Sequence, residues 1–469
     1  MTLEQITLLK ESFMKEVTNA DGSKSTLGAY FRICLDGGID FITSKDCILF
    51  DDDNTMLYAI GLNEDAKSQK AYPAKIMTAS YEIVQQIETV MSYNNFKQFV
   101  DDNTIATDAQ KEFLKKMIKG FASQNNKLMG SNSTYQPRVA TVKNADGTTK
   151  DVYSIEDAIK NAKSGDSIRL YDNVMVKGEA LLDLEEADSE VTLDLNGNNL
   201  TVKQPDTCPI VFNVKNGKLN LINRSNEKAT IVSNGEILHV DTRKSSGNAE
   251  VIIEGDIDLI SDDICVYIAG PNTKLIANGV RIENTSTGYA ALQGNGNTNS
   301  AGTDIELNNC YIKTAANTGI YHPQNGKLVL NNCTVDSAKD AIYTKSGEVI
   351  LNNCNVSSEG AFREYEFNGN GCNDIGAALI ADFCDYPGGA PKLIINGGRY
   401  TSKNGYAIAA YDKEGNRNPE AVAGNIIIKS GSFIAGSEMV ESGLADAMCA
   451  EGSIIRPGVN DRIASVVVA

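Results

Sequence analysis

Alternating apolar and polar positions recur in short blocks along the last two-thirds of the chain. Ile305-Glu-Leu-Asn-Asn-Cys-Tyr-Ile312, Leu328-Val-Leu-Asn-Asn-Cys-Thr-Val335 and Val349-Ile-Leu-Asn-Asn-Cys-Asn-Val356 align residue for residue, with starts 23 and then 21 positions apart. Looser copies begin at Leu193, Leu275, Leu393 and Ile426, and Val251-Ile-Ile-Glu-Gly-Asp256 fits between them. The alternation predicts a short strand with one face turned inward. The Asn, Gly or Cys that follows predicts a bend, because Asn and Gly tolerate positive φ. A further strand of the type Gly319-Ile-Tyr321 or Ala341-Ile-Tyr343 comes next, and a turn at Asn325-Gly326 or Ser346-Gly347 closes the unit.

A unit of little more than twenty residues cannot bury its own apolar face. Stacking such units makes one continuous core, so the repeat predicts a solenoid. Equivalent residues then stand about 4.8 Å apart in files. Asn308, Asn331 and Asn352 are expected to form an Asn ladder at the bend, and Cys310, Cys333 and Cys354 an interior file. Small buried thiols explain that file better than disulfides or a metal, since Cys is among the most buried residue types.

These repeats resemble those of the pectate-lyase-like, right-handed parallel β-helix superfamily, over roughly residues 138 to 440. The resemblance implies a mainly β fold: a single-stranded right-handed parallel β-helix preceded here by a small N-terminal α/β domain. Uneven spacing of the blocks implies loops bulging from the column, the largest from 360 to 391. Ser154 to Lys163 reads as a capped helix with Ile155, Ala158, Ile159 and Ala162 on its apolar stripe, followed by a Gly-Asp turn and a first strand at Ser167. It resembles the entry element of β-helical enzymes and phage tailspikes.

Residues 1 to 130 lack the repeat. Leu3, Ile6, Leu9, Phe13 and Val17 predict one face of a helix. Tyr30 to Leu35 reads as a strand, and Cys47–Phe50 with Met56–Ile60 as a hairpin around Asp51-Asp-Asp-Asn-Thr55. Those acids lack the spacing of a calcium loop and read as a solvated turn. Two further helices are expected at 74 to 100 and 107 to 123. The expected division is an α/β attachment domain at 1–130, a lead-in at 131–153, the β-helix at 154–440 and a closing segment at 441–469.

The chain has 469 residues, a net charge of −18 and no Trp. Such acidity repels phosphate backbones and disfavours nucleic acid as a partner. The longest apolar runs fall short of 18 residues, so no membrane insertion is expected. The first residues do not read as a secretory signal. With 10 Cys and no Cys-x-x-Cys, and with only 2 His, no metal site and no cofactor are expected.

Pectate lyases and polygalacturonases of this fold use sets of acids with Arg, His or calcium. Asp262-Asp263-Ile-Cys-Val resembles one polygalacturonase piece, but neither His239 nor His322 lies in Gly-His-Gly. An acidic turn explains it better. A glycosidase would need two carboxylates about 5–9.5 Å apart. Asp340, Glu364, Glu366, Asp374, Asp382 and Asp385 are the candidates, although 61 acids in the chain place some near any loop. Tyr321 and Tyr343, 22 residues apart, are candidates for a sugar-stacking pair on the outer surface.

The order of a small domain and then a column resembles phage appendages. The resemblance implies a virion protein, a homotrimer, a capsid or tail partner for residues 1–130 and a bacterial or host glycan at the loops. The reading therefore leans towards a non-enzymatic head fibre, tail appendage or capsid decoration protein. A trimeric tailspike depolymerase and a bacterial surface pectate-lyase-like protein remain the alternatives.

Overall fold

The computed structural model describes the backbone of residues 14–18, 24–33, 39–44, 47–50 and 56–60, and residues 139–469 apart from 153, 177–181, 188, 204–209, 246, 287, 289, 297–301, 437–441, 459 and 461. The chain divides into two compact units, one of residues 1–141, 151–155 and 170–175, the other holding the rest.

In the first unit, Met14–Thr18, Lys24–Ile33 and Ile39–Ser44 form an antiparallel sheet, and Cys47–Phe50 pairs with Met56–Ile60. Val17 therefore lies on a strand and not on the expected helix. Val17 and Thr18 are β-branched and favour extended backbone once a partner strand supplies hydrogen bonds. Leu3, Ile6, Leu9, Phe13, the acidic turn and the helices expected at 74–100 and 107–123 lie outside the described residues.

The second unit is mainly β, in long parallel ladders. Three strands recur in each coil. The first ladder runs from Leu182–Leu184 through Val266–Ala269, Ile320–His322 and Ile342–Thr344 to Ile408–Asp412. The second includes Gly217–Ile222, Thr273–Asn278, Thr303–Asn308 and Gly326–Asn331. The third includes Ile257–Ser261, Arg281–Asn284 and Thr334–Ser337. In the upper coils the second and third become one bent strand, as in Glu348–Ser358 and Lys392–Ser402. The chain visits the ladders in turn and pairs with its own previous coil, which is the connectivity of a parallel β-helix.

One inward file of the second ladder reads Val191, Leu219, Val251, Leu275, Ile305, Leu328, Val349, Leu393 and Ile426. Every member is nearly or fully buried. Seven of these coils follow the spacing in the sequence. The copy expected at Leu193 starts instead at Val191, because the turn at Asn196-Gly197 comes two residues later than in the coils above it. A slip of two keeps every side chain on its face, so the pattern concealed it. The Gly217–Ile222 coil opens on Asn216-Gly217 but carries no Asn-Asn-Cys or Asn-Gly mark after its strand, and it escaped the repeat altogether.

The bends use Asn309, Asn332 and Asn353, with φ of 53°, 52° and 53°. Asn is the side chain that best tolerates this left-handed region. Beside them Asn331 donates to Asn308 at 2.7 Å and Asn352 donates to Asn331 at 2.6 Å, and Asn278 and Asn396 extend the ladder at its ends. Cys310, Cys333 and Cys354 are free thiols stacked inside, each Sγ within 3.2–3.4 Å of the carbonyl of Ala277, Leu307 or Leu330.

The outward face of the second ladder carries a file of alternating sign: Glu190, Lys218, Glu250, Lys274, Asp304, Lys327, Glu348 and Lys392. Lys218–Glu190, Lys274–Glu250 and Lys392–Glu348 close to 3.5, 3.1 and 3.0 Å. At the far end, Ile463–Val468 pairs antiparallel with both Ser453–Pro457 and Gly431–Ile434. The entry helix is shorter than expected, Ile155–Lys160, and Asn161 ends it by bonding back to the carbonyl of Asp157. Among the described residues no helix is long and apolar enough to cross a membrane.

Candidate functional site

The second and third ladders alternate buried and half-exposed residues, as a one-sided sheet should. The upper strands of the first ladder are buried on both faces. The cause is a segment, 359–378, that leaves the third ladder after Ser358 and returns to the first at Leu379. The long interval expected as a loop from 360 to 391 thus contains a strand of the column, Leu379–Phe383.

Tyr321 and Tyr343 occupy one outward file and meet edge to face, with centroids 6.1 Å apart. They are not a surface platform: Tyr321 is 7% exposed and Tyr343 fully buried, in a cluster with Ile375, Ile380 and Tyr411 against which Tyr365 and Cys372 pack. Sequence reasoning placed them on the outer side of the column but could not see the cover, which carries no repeat.

Beneath this cover lies a polar knot. Asp382 accepts from the Tyr343 hydroxyl at 2.7 Å and from Tyr365 at 2.9 Å, and Lys345 Nζ stands 3.6 Å away. Lys345 and Asp382 are both completely buried. The ammonium also donates to the carbonyl of Asn368 and faces the ring of Tyr386 at 5.1 Å. Burial and then the charge of Asp382 raise the Tyr343 hydroxyl well above its ordinary value, so it stays a donor. Nothing in the sequence around Lys345 or Tyr365 marked them; only the register and the returning segment bring them to Asp382.

The remaining candidate carboxylates have partners of their own or face solvent. Asp340 is fully buried and accepts the backbone N–H groups of Ala377 at 2.9 Å and Ile375 at 3.3 Å, pinning the returning segment. Burial pushes its carboxyl up to about 8. Asp374 pairs with Lys339 at 2.7 Å, and Asp385 with Lys413 at 2.7 Å. Glu364 and Glu366 are exposed on the segment. An open groove passes Asn325, Gly326, Gly347 and Gly388, and none of the six lines it. Asp340, whose carboxyl burial raises, is itself completely buried.

Two other polar groupings stand out. His322 points into the coil, with neither ring nitrogen bonded among the described residues, and burial pushes it down to about 4. On the outer side of the first ladder, His239 stacks on Tyr267 at 4.7 Å, with Nδ1 2.5 Å from Glu236 and Nε2 3.6 Å from Asp241. Burial would lower this imidazole, but the two carboxylates outweigh it and raise it to about 9. Arg243 holds Asp241 through its guanidinium at 2.7 Å. Asp262-Asp263 forms a turn in which Asp263 accepts the following N–H, that of Ile264, at 2.8 Å. Among the described residues no three His, Cys, Asp or Glu side chains group to hold a metal.

No protein-family description, no curated protein and no solved structure matches this chain.

Proposed function

We propose that the protein is a non-enzymatic structural fibre or decoration protein of a bacteriophage particle, in which stacked coils hold a fastened segment outward. Residues 1–130 would attach to a capsid or tail protein, and the exposed side of 359–378 would meet bacterial or host glycans. The observation that carries the non-enzymatic part is the use of the buried acids. Asp340 and Asp382 are spent on tying the segment down, away from solvent. Phe362 and Phe367, 37% and 55% exposed, remain on its outer side. A right-handed coil is part of this reading, since parallel crossovers take that hand almost without exception.

The test is direct. The purified chain, incubated with bacterial surface polysaccharides, is expected to release no new sugar ends, and to co-sediment with phage particles only while residues 1–130 are present. Release of oligosaccharide would replace this reading with a depolymerase. Failure to join any particle would remove the virion assignment.

A further inference from the structure

The outward centre of the second ladder is a line of β-branched aliphatics where a solvent-facing sheet should be polar. Ile252, Ile276, Val329, Ile350, Ile394 and Ile427 follow one another along the column, interrupted only by Glu306. Each keeps part of its surface accessible. The corresponding outward file of the third ladder is polar over its middle coils, Glu283, Lys313, Asp336, Ser357 and Thr401, between Val232 and Ile260 below and Ile434 above. Over these middle coils one sheet therefore faces water with polar side chains and the other with mostly aliphatic ones, as a surface for an apolar partner does.

We propose that this aliphatic file is a self-association surface, buried against the same face of a second copy of the chain. The charges beside it select that occupant. The chain as a whole carries −18, so copies repel over most of their surfaces. The flanking file alternates sign rung by rung and sums to zero. A copy laid in reverse places Glu250 against Lys392, Lys274 against Glu348 and Asp304 against Lys327. The same fit sets Ile252 on Ile394 and Ile276 on Ile350, while Glu306 falls on Val329 and Asn220 on Ile427. The face is thus complementary to itself in charge and, at these two aliphatic pairs, in apolarity, as an isologous contact requires. The inference goes beyond the phage reading and rests on register alone.

Sedimentation equilibrium of the full chain tests it. The wild-type chain is expected to associate. Ile350→Lys with Ile394→Lys is expected to weaken association by about 100-fold or more, the loss typical of central interface anchors. Ile350→Thr with Ile394→Thr, which keeps the β-branch, is expected to weaken it by about 10-fold, and decides the matter if the lysine pair does not fold. Thr334→Lys with Asn355→Lys, on the third ladder, should sediment as wild type. A monomeric wild type overturns the proposal. So does association that the stripe variants leave unchanged, which would place the contact in residues 1–130 or on another face. Either result leaves the fastened-segment argument standing.

Discussion

Thr344 pairs with Ala381, and the next positions along, Lys345 and Asp382, therefore stand side by side on neighbouring rungs. Both are fully buried, and each is the other's compensation. Asp382→Asn removes the negative charge and leaves the ammonium sealed without a counterion. That is expected to cost about 3–5 kcal/mol, the usual penalty for breaking a buried pair from one side. The measurement is the denaturant midpoint together with protease cutting in 359–378, which should speed up as the segment lifts. Lys345→Met combined with Asp382→Leu should recover much of the loss, because it leaves no stranded charge. If the single variant cuts no faster than wild type, the knot does not hold the segment. The spacing of Tyr321 and Tyr343 was readable as a neighbour relation. Their burial was not, because the residues that bury them come from outside the repeat.

An individual rung is a poor structural unit, and its register must be set by what it shares with its neighbours. Three outward files do this on the second ladder: the alternating charges, the aliphatics and the Asn ladder. Charge is the most easily tested. Lys327→Glu puts an acid between Asp304 and Glu348, so that like charges follow one another where the native file alternates. Directly opposed like charges are destabilising by up to about 1 kcal/mol per contact. A lower unfolding temperature is expected at low salt, with most of the loss recovered at high salt as screening shortens the range. A salt-independent loss would mean that Lys327 acts through packing instead. The Asn ladder was legible from Asn308, Asn331 and Asn352, because identical residues at the repeat interval must face each other. The charge file stands one position before each block, so Glu250 to Lys392 were already in register in the sequence, and only Glu190 and Lys218, in the coils that the spacing misplaced or missed, needed the structure.

For the molecule as a whole, buried titratable groups set how stability depends on pH. Asp340 is held above its ordinary 3.8, at about 8. Its folded form therefore keeps the proton more tightly than the unfolded chain does. Its favourable contribution is complete below pH about 4 and is lost as pH rises towards 8. Asp340→Asn, neutral at every pH, should remove that slope. The stability of wild type relative to the variant is expected to fall as pH rises from 4 to 8, read from urea midpoints. His322, held at about 4, gives the opposite trend on its own, but it is common to both proteins and cancels. A difference that stays flat with pH would show that Asp340 is ionised in the folded chain.

Taken by itself, the amino-acid order determined the stacked coils, the bends and the inward files, because each is a local period that the chain repeats and every repeat constrains the next. It could also name Asp340 and Asp382 as carboxylates near an irregular segment. Only the tertiary structure decided what they do. The segment 359–378 folds back over the first ladder, so Asp382 meets Lys345, Tyr343 and Tyr365, and Asp340 meets backbone N–H groups. A non-repeating segment has no neighbour of its own kind to predict its path. Its place is set by contacts between residues far apart in sequence, and those contacts turn apparent surface chemistry into buried fastening.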